Sequence, residues 1–509
     1  MKTVKVILTN RRARFVRPYP YDELNEILKW RKPGWEYTPQ GRLFLEWKEK
    51  VKKGKADPDE PYGWDGYLHL LQQDTVGAGV FLALQEQLER EAMTRFEVQD
   101  NRRPPNFADI SFDKDARDYQ KKCVTEMLKA SNVGGLVLNA TGTGKTALTG
   151  MFLKRLKGPA LFLVDELTLL DQAQKELSKW IGEPVGNIGN QKFNPKRITV
   201  ATIQTIHRHR FDESFVPWTR TLKCIIIDEL HLALNRRNFQ TIAAIRPPTV
   251  FGLTATLELK KKGVALRAYD LCGPVVFEYP LEQGVAEGYL AKGVAISVQV
   301  SQEPTLPPLR GNPRWRWMRE RLKKRYQEEY SELIVNGKVR NKFIEKMIRT
   351  AYGKGMFIIA LMERVRHLEK MGDRLEDVPH NLVFGKIRSE DRVDAKTRFD
   401  AGKLRVILTN KVFKKGVDIK KVNLIIDCAA MKNKNDAVQK YGRGVRLCDG
   451  KEGLVYIDIA DTGNRFEKAA RSRRAALKKI GVPVYKVDSE LGPEEILRLA
   501  LNKLRKLTQ

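Results

Sequence analysis

A glycine-rich segment at residues 139–146, NATGTGKT, combines the residue types that hold a triphosphate. It follows an apolar run and precedes a stretch with helical spacing. Glycines let backbone N–H groups turn toward phosphate oxygens, and the N-terminus of the next helix adds positive potential. Lys145 could reach the β- and γ-phosphates, and Thr146 could bind Mg²⁺. The segment predicts a nucleoside triphosphate site, although asparagine stands where the strict pattern has its first glycine. The residues expected to contact the nucleotide are Thr141, Gly142, Thr143, Gly144, Lys145 and Thr146.

Two pairs of adjacent carboxylates follow apolar runs and could complete such a site. Phosphoryl transfer needs a carboxylate near the metal ion and one that positions water, both at a strand end beside the loop. Asp165 and Glu166 follow the run ALFLV, whereas Asp228 and Glu229 follow CIII. The second pair is preferred, because its β-branched run is typical of a buried central strand and His231 follows closely. We expect Asp228 to bind Mg²⁺ and Glu229 to activate water.

Short apolar runs followed by helical stretches recur along most of the chain. This alternation is typical of βα units on a parallel sheet. The first series comprises residues 135–139, 160–164, 198–202, 224–228 and 250–254. A second series comprises residues 356–360, 381–384, 405–409, 423–427 and 454–458. The sequence therefore predicts an α/β protein with two doubly wound parallel-sheet domains in tandem.

The order of short motifs resembles that of the superfamily 2 helicases and translocases with a DExH box. The motifs that carry the resemblance in the first half are RDYQ at 117–120, LFLVDELTLLDQ at 161–172, VATIQT at 200–205, DELH at 228–231 and TAT at 254–256. In the second half they are TNKVFKKGVD at 409–418 and QKYGRGVR at 439–446. The resemblance implies two RecA-like domains that hydrolyse ATP with Mg²⁺ and move along nucleic acid.

The same resemblance implies roles for individual residues. Further nucleotide contacts would come from Arg117, Gln120, Gly416 and Asp418. His231, Thr254 and Thr256 would couple nucleotide state to the grip on nucleic acid, which would be contacted by Thr202, Gln204 and Thr409. Gln439, Arg443 and Arg446 would join the catalytic set, the two arginines stabilising charge on the transferring phosphoryl group. If their segment opens a helix, those arginines lie on one face.

Residues 1 to about 100 lack the βα alternation and predict a small α+β domain. Within it, residues 21–28 and 62–71 resemble the accessory domain of phage UvsW-type helicases, which act on branched DNA. Residues 326–334 resemble the same group. The expected domains are a nucleic-acid-binding accessory domain at 1–105, an ATP-binding RecA-like domain at 106–292, a second RecA-like domain at 293–480 and a helical tail at 481–509.

The chain is strongly basic, with 93 Lys and Arg against 62 Asp and Glu among 509 residues and a net charge of +31. That balance favours a polyanionic partner, because cations release the counterions condensed on phosphate chains. Residues 305–350 and 464–479 concentrate the charge. No apolar run approaches the roughly 18 residues of a membrane span, so we expect a cytoplasmic protein, in host cytoplasm if the source is a phage.

Together these features predict an ATP-dependent DNA helicase or translocase that remodels forked or branched DNA in recombination, repair or replication. Its expected partners are DNA and replication or recombination proteins, with no membrane. A DExH-type RNA helicase is an alternative, because the same kind of core can bind either DNA or RNA. Two others are the motor of a restriction system, for which no nuclease segment is seen, and a passive nucleic-acid-binding protein with an inactive core.

Overall fold

The computed structural model describes residues 2–58, 60–165, 167–189, 192–245, 247–301, 316–385, 387–410, 419–431, 434–462 and 465–508. The chain divides into two compact units. The first comprises Met1–Asn139 and Gly144–Glu278, and the second comprises Ala140–Thr143 and Tyr279–Gln509. Within the described ranges, no helix is both long and apolar enough to cross a membrane.

The N-terminal part of the first unit is a small sheet with helices. Its strands are β1 (Lys2–Leu8), β2 (Arg12–Phe15), β3 (Lys29–Arg31), β4 (Tyr67–His69), β5 (Thr75–Gly77) and β6 (Thr94–Asp100), and its helices are α1 (Tyr21–Ile27), α2 (Pro39–Lys52) and α3 (Ala78–Glu91). Four strands form a sheet in the order β5-β2-β1-β6, and β3 pairs with β4 separately. Val4, Val6 and Leu8 are buried while Lys5 is exposed, as expected for a strand with one covered face.

The N-terminal sheet shares its apolar core with the rest of the first unit. Val133 and Leu266, which belong to the larger α/β part of the first unit, pack in the same apolar cluster as Val4 and Phe81. Asn10 donates a hydrogen bond to the carbonyl of Asn132, at 2.5 Å. The accessory part is therefore docked on the α/β part through both apolar and polar contacts.

The α/β part of the first unit is built on an eight-stranded sheet. Its strands are β7 (Gly134–Asn139), β8 (Ala160–Val164), β9 (Gly186–Gly189), β10 (Lys192–Asn194), β11 (Ile198–Thr202), β12 (Cys224–Ile227), β13 (Thr249–Thr254) and β14 (Val275–Tyr279). Its helices are α4 (Asp118–Lys129), α5 (Lys145–Arg155), α6 (Leu167–Ile181), α7 (Ile203–His209), α8 (Phe215–Thr221), α9 (Arg236–Ile245) and α10 (Lys262–Leu271). The strand order is β10-β9-β11-β8-β12-β13-β7-β14.

Strand β12 shows why its sequence is apolar throughout. Cys224 and Ile226 pack in the cluster on one face of the sheet, whereas Ile225 and Ile227 pack in the cluster on the other. Both neighbours, β8 and β13, are parallel to it. A strand buried on both faces has no position for a polar side chain until it ends, so chemistry is confined to the residues that follow it.

The second unit is built on a seven-stranded sheet in the order β17-β18-β16-β19-β20-β15-β21. Its strands are β15 (Gly293–Ser301), β16 (Ile358–Leu361), β17 (His380–Val383), β18 (Val406–Thr409), β19 (Leu424–Asp427), β20 (Leu454–Thr462) and β21 (Val484–Asp488). Its helices are α11 (Leu281–Ala286), α12 (Arg316–Glu329), α13 (Lys338–Gly353), α14 (Val365–Arg374), α15 (Ser389–Asp400), α16 (Lys434–Gly444), α17 (Glu467–Lys479) and α18 (Gly492–Thr508). Its registered strand pairs are parallel.

The segment from residue 481 onward, expected as a helical tail, contains both a strand and a helix. Strand β21 pairs with β15 at the edge of the second sheet. Ile496, Leu497 and Ala500 of α18 are buried in the core of the second unit. These residues therefore form part of the layered structure of that unit.

The predicted fold class is confirmed: each apolar run of the two series overlaps a strand, and the strands of each series pair in parallel within one sheet. Strands β9, β10, β14, β15 and β21 of these two sheets were not among those runs. In β14, Val275 and Glu278 are exposed, so the strand lacks the continuous apolar pattern.

Candidate active site

The loop between β7 and α5 has the backbone of a phosphate cradle. Gly142 and Gly144 adopt left-handed conformations with φ of 92° and 75°. The Thr143 hydroxyl donates to the carbonyl of Ala140 at 2.7 Å, which closes the turn. Gly144 immediately precedes the first turn of α5, so the unpaired N–H groups of that turn point into the loop. The geometry is that of an anion-binding helix start.

Lys145 is the first residue of α5, and its Nζ lies 3.3 Å from the carbonyl oxygen of Asn139. Its ammonium thus folds back over the loop and lies where it can hold phosphate oxygens. Thr146 is partly buried in the same turn. The Thr141 hydroxyl is buried with no hydrogen-bond partner among the described residues, which leaves it available for a nucleotide. These features fit a bound triphosphate with Mg²⁺.

Gln120 supports the loop from α4. It is 4% exposed, and its Oε1 accepts from the backbone N–H of Arg117 at 3.1 Å. A Cβ on Gly144 would lie 2.8 Å from the Nε2 of Gln120. The structure therefore places Gln120 next to the phosphate loop, and a side chain at position 144 would have to displace that amide.

Asp228 follows β12 at the edge where the phosphate loop follows β7. In the sheet, β13 lies between β12 and β7. Burial, together with the charge of Glu229, raises the pKa of Asp228 to about 6, while the Lys145 ammonium opposes that shift. Its Oδ1 accepts from the Glu229 N–H at 3.0 Å. A carboxylate in this setting gains stability from a divalent cation, so the site fits Mg²⁺.

Glu229 has a strained backbone with φ of 48° and ψ of 56°. Residues other than glycine enter this left-handed region at a cost, and such strain is concentrated at functional sites. Its Oε2 lies 3.4 Å from the Nδ1 of His231. The sharp turn directly after β12 thus presents a carboxylate and an imidazole side by side.

Thr254 ends β13, the strand between the two loops, and its side chain is fully buried. Its hydroxyl accepts from the Thr256 N–H at 3.2 Å. The Thr256 hydroxyl is buried without a hydrogen-bond partner among the described residues. The structure therefore brings both threonines to the same sheet edge as Lys145 and Asp228.

The residues expected to contact nucleic acid have different degrees of exposure. Thr202 is 1% exposed and caps α7, accepting from the Thr205 N–H at 3.2 Å. Thr409 is fully buried and donates to the carbonyl of Val383 at 2.7 Å. Gln204 is exposed. Of these three side chains, only that of Gln204 is open to a ligand in this conformation.

Gln439 and Arg443 lie on α16 of the second unit, but Arg446 does not. The helix ends at Gly444, so Arg446 is two residues beyond it. The segment closes a helix and does not open one, so the condition under which the two arginines would share a helix face is not met. The glycines of GRGV favour the end of a helix over its start, which the three-residue spacing alone does not reveal.

Sequence reasoning missed the ion pair that anchors α16. Lys440 donates to both oxygens of Asp427, each at 2.8 Å, and the Tyr456 hydroxyl donates to Asp427 at 2.7 Å. Burial alone would raise the pKa of Asp427, but the Lys440 ammonium holds that pKa well below its usual range. One signal was present: Asp427 ends an apolar run, just as Asp228 follows one.

Some predicted residues lie outside the described part of the chain. They are Gly416 and Asp418 of the nucleotide set, Glu166 of the rejected carboxylate pair, and residues 305–315 of the basic segment.

Two family profiles match the chain. The profile of the res subunit of type III restriction enzymes matches residues 113–259. The profile of the helicase conserved C-terminal domain matches residues 340–448. The first match contains the phosphate loop and Asp228, and the second contains Gln439, Arg443 and Arg446.

Curated relatives are distant but extensive. A probable helicase, D10, of Escherichia phage T5 is 23% identical over 366 residues, which cover 70% of this chain and 74% of that protein. The DNA 3'-5' translocase XPB2 of Sulfurisphaera tokodaii is 24% identical over 385 residues, covering 70% of this chain and 84% of that protein.

Solved structures are similar at lower identity. The alignment with the structure of T4 UvsW covers 96% of this chain and 100% of the UvsW chain, with a TM-score of 0.43 and 15% identity. The structure of S. cerevisiae Dbp5, solved with RNA and ADP BeF3, has a TM-score of 0.52 at 12% identity. The alignment covers 77% of this chain and 93% of the Dbp5 chain. The latter likeness shows the same tandem α/β fold. With both helicase profiles matched in the order of the motifs, the chain belongs to the superfamily 2 helicases.

Proposed function

We propose that this helicase is an ATP-dependent DNA translocase or helicase that acts on forked or otherwise branched DNA. The observation that carries the ATPase part is the edge of the first sheet, where the phosphate loop and Asp228 follow strands separated by one neighbour. The Lys145 charge opposes the rise in the pKa of Asp228 that burial causes, which supports a cation and a carboxylate that act on the same ligand. Phosphoryl transfer needs this pairing of a phosphate cradle with a metal-binding carboxylate.

Each candidate site residue of the first unit has a proposed role. The loop N–H groups and Lys145 hold the phosphates, and Gln120 with Arg117 contacts the base. Thr146 and Asp228 hold Mg²⁺, which neutralises charge on the phosphates when bound. Glu229 accepts the proton of the attacking water, and His231, Thr254 and Thr256 transmit the state of the nucleotide.

The second unit supplies positive charge in this proposal. Arg443 and Arg446 stabilise the charge that develops on the transferring phosphoryl group. Gln439 completes that set. The buried pair of Lys440 with Asp427 fixes the helix that carries Gln439 and Arg443.

DNA is the proposed substrate for two reasons. XPB2 of Sulfurisphaera tokodaii, which matches most of this chain, is described as a DNA 3'-5' translocase. The net charge of +31 fits a long phosphate polymer, although it does not distinguish the sugar. RNA remains the second candidate, because Dbp5, with the same fold, was solved with RNA.

The preference for branched DNA rests on the accessory part of the first unit. The segment 62–71 contains β4, which pairs antiparallel with β3. The Arg31 guanidinium stacks on both Trp35 and Tyr67, 4.7 Å from each ring centre, and Tyr62, five residues before β4, is 64% exposed. Cations interleaved with aromatic rings suit contacts to phosphates and unpaired bases, which a branch point offers together.

The test is the rate of ATP hydrolysis with no polymer, single-stranded DNA, duplex DNA, a synthetic fork and matched RNA at one salt concentration. We expect the largest stimulation with the fork. Preference for RNA would replace the proposal with an RNA helicase. Equal stimulation by all DNA forms would remove the branched-DNA specificity and leave a general DNA motor.

A further inference from the structure

The chain that follows α16 carries Arg446, and contacts with other parts of the second unit hold it in place. Residues 445–453 belong to no helix or strand. The last carbonyl groups of a helix have no partner within it, so the carbonyl of Gly444 needs a donor from elsewhere. Each further residue adds two rotatable backbone bonds. The position of the Arg446 side chain therefore depends on what binds this backbone.

Lys451 binds this backbone at two places. Its Nζ donates to the carbonyl of Gly444 and, at 3.0 Å, to that of Arg446. The carbonyl between them, that of Val445, accepts from the N–H of Ala291 at 2.6 Å. All the carbonyls from Gly444 to Arg446 are thus hydrogen-bonded, and one ammonium binds the first and the last of them.

A tight turn brings Lys451 back to these carbonyls. The N–H of Lys451 donates to the carbonyl of Cys448 at 3.1 Å, and Gly450 between them has a φ of 75°. A positive φ at the third residue of a four-residue turn is typical of type II and favours glycine. The sequence CDGK at 448–451 therefore folds the lysine toward the end of α16.

Lys451 also binds a carbonyl in a different segment of the chain. Its Nζ lies 3.3 Å from the carbonyl oxygen of Lys420, which is two residues after Asp418. Asp418 ends the motif at 409–418, which contains proposed nucleotide contacts. A lysine ammonium has three hydrogens and accepts none, so these bonds use every donor of the side chain. One lysine thus joins the end of this motif to the loop that carries Arg446.

Apolar packing joins the same two segments. Ile419 and Val422, which follow the motif, line one narrow cavity together with Arg443 and Gly444 of α16. A Cβ on Gly444 would lie 2.6 Å from a methyl carbon of Leu454, so the end of α16 packs closely against the start of β20. The hydrogen bonds of the lysine therefore stabilise a junction that is also packed.

The charge of Lys451 is held at a cost. Burial lowers the pKa of Lys451 to about 8, while the nearby Cys448 opposes that shift. The ammonium is still the main form at pH 7. Within the described part of the chain, its Nζ is bonded to carbonyl oxygens only. A charge kept where burial disfavours it is typical of functional sites.

We propose that Lys451 is a positioning residue for ATP hydrolysis, which holds the backbone of Arg446 and joins it to the segment after Asp418. The inference rests on the function proposed above for Arg446. Lys451 acts through carbonyl groups, so its own side chain does not contact the nucleotide. It lies outside residues 340–448, which the helicase C-terminal profile matches, and outside every motif named above.

The experiment measures kcat and KM for ATP of the full chain at pH 7, with the polymer that stimulates the wild type most. Lys451→Met keeps a side chain of similar length and removes its hydrogen-bond donors. A misplaced group costs up to about a hundredfold in rate, so we expect kcat to fall about tenfold to a hundredfold. KM should change less than about twofold, because the phosphate loop is unaltered. An unchanged kcat would overturn the proposal.

Lys292→Met is the matched control. Lys292 lies in the same unit and donates to the carbonyl of Leu507 in the last turn of α18, so its bond is of the same kind. Urea unfolding verifies that both variants are folded under the assay conditions. We expect a lowered kcat for Lys451→Met alone. An equal fall of kcat in both variants would assign the effect to general destabilisation of the unit and overturn the proposal.

A double variant distinguishes the positioning of Arg446 from an independent effect. Arg446→Ala removes the side chain that Lys451 is proposed to place, so adding Lys451→Met should lower kcat further by less than about twofold. Radiolabelled ATP makes these low rates measurable. Losses that multiply would show that the lysine acts by another route and would overturn the proposal.

Two outcomes would refute the proposed function itself. Normal hydrolysis by Arg446→Ala would refute the role proposed for that arginine. Absence of hydrolysis by the wild type with every polymer would refute the ATP-dependent motor as a whole. The inference about Lys451 would fall in both cases, whereas a lowered kcat for Arg446→Ala with an unchanged kcat for Lys451→Met would refute that inference alone.

Discussion

Gly144 shows at the scale of a single residue why the phosphate loop has the sequence it has. The position has a φ of 75°, and a Cβ there would lie 2.8 Å from the Nε2 of Gln120. That amide is buried and already bonded to the backbone of Arg117 through its oxygen, so it cannot move without loss. The backbone conformation therefore favours glycine, and any larger side chain would also have to displace the Gln120 amide.

We expect Gly144→Ala to weaken ATP binding at least tenfold, because the loop must shift away from Gln120. The left-handed backbone alone costs a non-glycine residue about 1–2 kcal/mol. Gly182→Ala is the control, since Gly182 has a φ of 82° with nothing within 4 Å of its Cβ position. Both variants should lose stability in urea unfolding, but only Gly144→Ala should lose nucleotide affinity. Equal ATP binding by the two would refute the steric argument.

Asp228 illustrates a residue whose ionisation opposes folding. Its pKa is raised to about 6 by burial and the charge of Glu229, so the folded state holds a proton that the unfolded state releases. For a carboxyl with a raised pKa, stability is lost as pH rises from the unfolded value of about 3.9 through the folded pKa. The penalty is complete above about pH 6.

Asp228→Asn should therefore stabilise the protein without Mg²⁺ at pH 7.5, by up to about 3 kcal/mol, while ATP hydrolysis is lost. The measurement is urea unfolding of both proteins between pH 4 and 8 in a chelator. The difference should grow up to about pH 6 and then remain constant. A variant less stable than the wild type at pH 7.5 would contradict this account of the site.

At the scale of elements, helix α16 depends on one buried ion pair. Lys440 is 6% exposed and Asp427 is fully buried. Removing one member of such a pair leaves an uncompensated charge, which costs about 3–5 kcal/mol. The pair joins the helix that carries Gln439 and Arg443 to the end of strand β19.

We expect Lys440→Met to destabilise the second unit by about 3–5 kcal/mol. The double variant Lys440→Met/Asp427→Asn should be more stable than this single variant, because the carboxylate that loses its lysine partner is also removed. Urea unfolding of the two variants checks the order. If the single variant is the more stable, the ion pair does not anchor the helix.

The elements also show what the sequence could predict. Runs such as Cys224–Ile227 are buried on both faces, so their composition alone identified them as central strands. The end of α16 at Gly444 depends on where the following chain must turn, and no periodic pattern encodes that. The anchoring of α16 by Asp427 joins residues 13 positions apart and needs the folded sheet. Local patterns thus predicted strands and loops, whereas contacts between elements required the structure.

At the scale of the whole molecule, the order of the α/β parts along the chain could be predicted from the sequence. The packing of the accessory sheet against the α/β part of the first unit could not. The accessory sheet was expected as a domain of its own, and nothing in its local pattern indicated that Val133 and Leu266 would enter its core. Those contacts join segments far apart in the chain. The excess of Lys and Arg over Asp and Glu, by contrast, is a property of composition, and it predicted a polyanionic partner without identifying which one.

The central claim is that the edge of the first sheet hydrolyses ATP in response to DNA. The most direct measurement is phosphate release by the wild type, Lys145→Ala and Glu229→Gln, each with and without a DNA fork, alongside ATP binding. We expect fork-stimulated release by the wild type alone. Lys145→Ala should lose ATP affinity, and Glu229→Gln should bind ATP yet release phosphate at least about a hundredfold more slowly, the usual scale of a lost general base. Normal phosphate release by either variant would contradict the assignment of this site.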